Sequence, residues 1–295
     1  MQKAESQLNS YEEKRKKVSQ FNLTSDIFFS KVMEDKQACQ ELIQILTGEE
    51  LVVKTVKSQY SIRNLENHSV TLDVLTESQK GRMINVEIHT QEDEDHVRRG
   101  RYYISSIDVS ILEKGTDYEE LPDVYLIYIT DKDFIGQNRA IYVVKRVVQE
   151  NLILNNGIYE FYVNLKGKTD SSEQRELLDF IVNSKSNYKT DAFPNLARRV
   201  TMFKEDRKGV DIMCEILERE RTEGRLEGRL EGRLEGKTEE HIAMVRKKYQ
   251  KGNKPEQAAE ALELDTEYVR NIMDMMELQN LSDEEIVMKL IKEQE

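Results

Sequence analysis

The chain reads as an α/β protein with a helical C-terminal third, and three observations predict this. Residues 51–90 carry apolar side chains at period two and are rich in Val, Ile, Thr and Tyr, the pattern of strands. Val124–Ile129 is a nearly continuous apolar run of strand length, as expected of a strand buried on both faces. The segments before, between and after these place apolar residues at helical spacing. With 295 residues there is room for one domain of ordinary size plus an appendage. The 34% charged content predicts that part of the chain is solvated helix.

In chain order, residues 1–20 are polar, with a basic run Lys14-Arg15-Lys16-Lys17, and predict a loose leader. From Leu23, residues Ile27, Phe28, Val32, Leu42, Ile43 and Leu46 recur at roughly helical spacing, with a break near Glu34-Asp35-Lys36. Gly48 stops the second of these helices. Strands follow, and Ser78–Gly81 forms the turn between two of them. A helix over about 95–114 has an apolar side that includes Ile104, Ile107 and Ile111, with Gly115 suited to its C-terminal cap. Residues 140–144 and 160–165 are further strand segments, and from about 171 the pattern is helical. The domain reading is a leader over 1–20, a core over 21–210, a long charged helix over 211–250, and a small helical module over 251–295.

In the long helix, Arg-Leu-Glu-Gly recurs from Arg225, so Leu226, Leu230 and Leu234 form one slowly drifting stripe. Each Gly weakens a helix interior by roughly 1 kcal/mol relative to Ala. Either the small residues allow close helix–helix approach in a homo-oligomer, which is the favoured reading, or the segment is a flexible charged linker. Residues 254–277 predict two short helices with a tight turn, Pro255 starting the first. The unit is helix-turn-helix-like. Its second helix carries Glu267, Asp274 and Glu277 against Arg270, which suits partner packing better than a DNA groove.

No apolar run approaches a membrane span and no signal peptide is evident. Cys39 and Cys214 are isolated, so a reducing cytoplasm fits and no disulfide framework is implied. Two cysteines and four scattered histidines exclude an obvious zinc cluster. The net charge of -12 argues against coating nucleic acid through bulk charge. It leaves room for a local basic cleft, with Arg98, Arg99 and Arg101, then Lys145 and Arg146, as its candidates. The alternative is a solvated helix face.

The residues that point to chemistry are Asp73 and Glu87. A hairpin centred on Lys80 sets position 73 opposite position 87. Alternation then groups Asn85, Glu87 and His89 on one face and Ile84, Val86 and Ile88 on the other. Asp73 goes with Leu75, while Leu72 and Val74 face away together. The acid-bearing face is read as otherwise poor in apolar residues. Cross-strand neighbours lie about 5 Å apart, and carboxylates that close repel unless a cation lies between them. Mg²⁺ takes oxygen ligands and is often held by one or two carboxylates plus substrate phosphate. Its chemistry there is to draw charge from a phosphate and to activate a bound water. His89 shares the face, and imidazole changes charge near neutral pH, which suits a base. The competing reading is a hairpin with one solvated face whose acids have no task.

These residues resemble the PD-(D/E)XK nuclease superfamily and, more closely, the Rpn family of recombination-promoting nucleases, also labelled putative transposases. The likeness covers about 21–165. It runs through Leu23–Phe29, Leu72–Leu75, Asn85–His89, Arg99–Tyr103, Lys114-Gly115 before Tyr118, and Leu121–Val124, and Glu-Gly tail repeats are a further habit of the family. The resemblance implies a mixed sheet flanked by helices and a Mg²⁺-dependent DNA endonuclease site, with Mn²⁺ a substitute. Asp73 and Glu87 would be the metal ligands, with Asp26 and Tyr103 as auxiliary residues. One departure stands out: where the superfamily usually has Lys and this family often Gln, this chain has His89. The implied role is mobile-element recombination or defence against foreign DNA. The alternative is a weakened or inactive nuclease fold acting as an oligomeric binding protein.

Overall fold

The computed structural model describes residues 2–63, 69–90, 95–149, 151–279 and 281–292. The chain divides into two compact units, Met1–Leu217 and Glu218–Glu295. The first is a six-stranded mixed sheet flanked by helices. Its strands are β1 (Val53–Ile62), β2 (Val70–Ser78), β3 (Met83–His89), β4 (Val124–Thr130), β5 (Ile141–Val144) and β6 (Ile158–Asn164). Their spatial order is β1-β2-β3-β4-β6-β5. Strands β1, β2 and β3 are antiparallel, β3, β4 and β6 run parallel, and β5 returns antiparallel to β6.

The alternation in β4 explains its apolar run. Tyr125, Ile127 and Ile129 enter the larger core cluster, and Val124, Leu126 and Tyr128 enter a second one on the other face. The larger cluster is built with α2 (Asp26–Met33), α3 (Lys36–Thr47), α5 (Ser172–Asn183) and α6 (Pro194–Glu205). Asp35 caps α3 by accepting from the N–H groups of Gln37 and Ala38, and Gly48 ends it at φ +72°. The second cluster is closed by α4 (His96–Ile111) through Ile104 and Ile107. Gly100 permits that closure. A Cβ there would lie 2.8 Å from Leu126 Cδ2 and 3.0 Å from Tyr162 Oη.

The structure corrects several expectations. Residues 2–19 are not loose: they form α1 (Gln2–Ser19), with Val18 fully buried. Lys14 pairs with Asp211 at 2.6 Å and Arg15 with Glu205 at 2.7 Å. Beyond residue 10 these ion pairs supplement the apolar contacts of Tyr11 and Val18, two residues too far apart to leave a period in the sequence. Helix α4 ends at Ile111 with Leu112 as its cap, and Gly115 instead occupies a turn at φ +94°.

The second unit gathers Ile242, Val245, Val269, Ile272, Ile286 and Leu290 into its own core. These come from the end of α7 (Arg207–Gln250), α9 (Thr266–Glu277) and α10 (Asp283–Lys292), with Ala258 and Ala259 of α8 (Pro255–Leu262) completing it. Pro255 occupies the first turn of α8, and Asp265 caps α9 by accepting from Tyr268 N–H.

Candidate functional site

The hairpin register is Val74↔Val86 through Glu77↔Met83, which sets Asp73 level with Glu87. At that point the backbone ladder stops and side chains take over. The Ile88 N–H donates to Asp73 Oδ2 at 2.9 Å, and the Asp73 N–H donates to Glu87 Oε1 at 3.2 Å. Each carboxylate thus satisfies a backbone donor that the parting strands leave behind. Opposite Asp73, on β1, Gln59 adopts φ +46°, a conformation uncommon for a side-chain-bearing residue. Its amide donates to Asp73 Oδ1 at 3.3 Å and to Ser30 Oγ at 2.8 Å.

This break overturns part of the predicted alternation. Leu72 packs in the α4-side cluster with Leu75, while Val74 packs in the opposite cluster with Val86 and Ile88. Leu72 and Val74 therefore do not share a face, because β2 changes phase at Asp73. The predicted grouping of Ile84, Val86 and Ile88 is present in the larger core. The face bearing Glu87 is not polar and open: α4 covers it, and Glu87 is only 4% exposed.

Burial sets the electrostatics. Asp73 is pushed up to about 6, chiefly by desolvation, with the charge of Asp26 adding to the rise and the Ile88 and Gln59 hydrogen bonds opposing it. Glu87 lies well above the usual carboxylate range, first from burial and then from repulsion by Asp73. The Asn85 side chain, then the Asp73 N–H and the charge of Arg99, oppose that shift. Beside Glu87 on β3, the Asn85 amide is fully buried. The pair, one acid buried and one half-buried, concentrates carboxylate oxygens that a hard divalent cation would satisfy, so the donor set fits Mg²⁺. Among the described residues, no group of three or more His, Cys, Asp or Glu side chains is arranged around an ion site.

His89, the last residue of β3, has its ring 5.9 Å from that of His96 and 6.1 Å from that of Tyr128. Its charge acts on Asp73. His96 is buried, stacks on Phe134 at 4.8 Å, and lies 3.2 Å through Nδ1 from Tyr128 Oη. Asp26 starts α2, and its Oδ1 accepts from the adjacent Ile27 N–H. Tyr103 is half-buried and accepts a hydrogen bond from Arg99, and its hydroxyl is pushed up first by burial and then by the charge of Glu87.

Along α4, residues 98 and 101 lie three apart on one side of the helix, and residue 99 is turned about 100° from residue 98. The buried stripe is His96, Gly100, Ile104 and Ile107. Arg99 and Tyr103, four apart, flank it towards Glu87, whereas Arg98 is paired with Asp95 at 3.6 Å in solvent and Arg101 is exposed. Lys145 and Arg146 are exposed as well. Sequence reasoning missed Gln59, His96 and Tyr128. Only Asn85, two residues before Glu87, carried a readable signal.

A family model described as "PD-(D/E)XK nuclease family transposase" matches residues 26–218. The chain belongs to that family. No curated protein and no solved structure matches it. Among the described residues, no helix is long and apolar enough to cross a membrane.

Proposed function

We propose that this member of the PD-(D/E)XK nuclease family transposases is a Mg²⁺-dependent DNA endonuclease, with Mn²⁺ able to substitute, and that Asp73 and Glu87 hold the ion. The observation that carries this is the convergence of the buried Glu87 and half-buried Asp73 carboxylates, each tied to the other's strand by a backbone N–H. Bound Mg²⁺ would supply charge withdrawal from the scissile phosphate and activation of the attacking water. The chain's own part is positional. The interlocked hydrogen bonds fix the carboxylate orientations before substrate arrives, and α4 keeps bulk water from Glu87. His89 orients the attacking water and receives its proton. Asp26 adds negative charge behind Asp73. Tyr103 lines the site, and Arg98, Arg99 and Arg101 meet the DNA backbone. The role in recombination or defence, the cytoplasmic setting and homo-oligomerisation through the C-terminal helices belong to the same reading.

A second reading is a nuclease fold that binds without cutting. It is favoured by the packing of His89 among aromatic rings and by the limit of two carboxylates at the site. Supercoiled-plasmid nicking with Mg²⁺ or Mn²⁺ separates the two. Wild type should nick, and Asp73→Ala and Glu87→Ala should each lose about 100-fold or more in rate. Nicking untouched by both substitutions rejects the assigned site, and an inert wild type under every metal selects the second reading.

A further inference from the structure

Arg99 differs from the arginines around it. Gly100 lets α4 settle against Leu126 and Tyr162, at distances a Cβ would make too short. That close approach brings the adjacent Arg99, and Tyr103 one turn later, over the Glu87 side of the sheet. Tyr103 is half-buried and hydrogen-bonded to the Arg99 side chain, which steadies the guanidinium. Arg98 is 78% exposed at its side chain and is engaged by Asp95. The charge of Arg99 also acts on both Glu87 and Tyr103. A planar fork of donors matches two phosphate oxygens in a way a point charge cannot.

We propose that Arg99 is a catalytic residue rather than a general DNA contact, its guanidinium, steadied by Tyr103, gripping the non-bridging oxygens of the scissile phosphate beside the Asp73–Glu87 pair. This rests on the cleavage reading above. In hydrolysis the water oxygen bonds to phosphorus and the bond from phosphorus to the departing deoxyribose oxygen breaks. One water proton passes to His89, and the departing oxygen takes a proton from solvent. Arg99 forms no covalent bond. It neutralises the charge that accumulates on the phosphoryl oxygens as the water adds, a contribution larger in the transition state than in the bound substrate.

The test is steady-state nicking by the full chain with Mg²⁺ for Arg99→Ala, Arg99→Lys and Arg98→Ala, with melting followed in parallel. Arg99→Ala should lower kcat by about 100-fold while KM stays within about threefold, and added guanidinium should restore part of the loss. Arg99→Lys should fall between it and wild type, since the charge remains and the fork is lost. Arg98→Ala should mainly raise KM. A raised KM with unchanged kcat in Arg99→Ala overturns the proposal in favour of plain DNA binding. A fall in melting temperature that accounts for the lost activity, shared by Arg99→Lys and without guanidinium rescue, overturns it in favour of a structural ion pair. An inert wild type defeats the cleavage reading and this inference together, whereas an active wild type with an equally active Arg99→Ala defeats this inference alone.

Discussion

In the folded chain Asp73 rises from 3.8 to about 6, with burial the largest cause. A carboxyl raised by folding holds its proton more tightly in the native state than in the unfolded one. Its contribution to stability is therefore complete below about pH 4 and is lost as pH climbs through about 6. At pH 8 the metal-free protein bears the whole penalty, up to about 3 kcal/mol. Asp73→Asn removes it. The variant should melt above wild type at pH 8 without metal, and the two should converge near pH 4. A variant that melts below wild type at pH 8 would show the carboxylate to be structurally favourable. The same substitution should abolish nicking, so the residue costs stability where it serves chemistry. Asp73, Glu87 and His89 were legible because acids and an imidazole at period-two spacing stand out in apolar strands. Gln59 was not, since nothing in a glutamine announces a positive φ. Arg99 could not be told from Arg98 and Arg101 until the phase of α4 was known.

At the scale of elements, the strands were readable because burial on one or both faces leaves a period of two or an unbroken apolar run. The helix of α3 was readable because Asp35 and Gly48 are its chemical ends. What stayed hidden depends on contacts distant in sequence. Helix α1 is fastened by Lys14 to Asp211 and Arg15 to Glu205, pairs nearly two hundred residues apart. The phase change of β2 at Asp73 arises where β3 stops pairing with β2 and Gln59 of β1 takes a positive φ, and neither event has a local signature. It matters for function, because an uninterrupted ladder would satisfy Ile88 N–H with a carbonyl and release the Asp73 carboxylate from its fixed orientation. Gly100 is another such case: its sequence context reads as a weak helix position, and only the neighbouring Leu126 and Tyr162 show that a side chain there would have to push theirs aside.

For the whole molecule, the family match ends at residue 218, just where the second compact unit begins. The repeat segment is helical throughout α7, as its leucine spacing predicts. Leu226, Leu230 and Leu234 are 57%, 58% and 41% exposed, and a Cβ at Gly224, Gly228, Gly232 or Gly236 would meet nothing. An apolar stripe beside small residues suits a second copy of the same helix. Deletion of residues 221–295 should lower the particle mass in light scattering, and an unchanged mass would rule out self-association through this tail.

The nuclease reading depends above all on two acidic side chains sharing one ion. Anomalous diffraction from crystals soaked in Mn²⁺ addresses this directly. A single strong peak between the carboxylates of Asp73 and Glu87, absent in Glu87→Ala, is the predicted outcome. A peak elsewhere with none at that pair, or an unchanged peak in the variant, would contradict it.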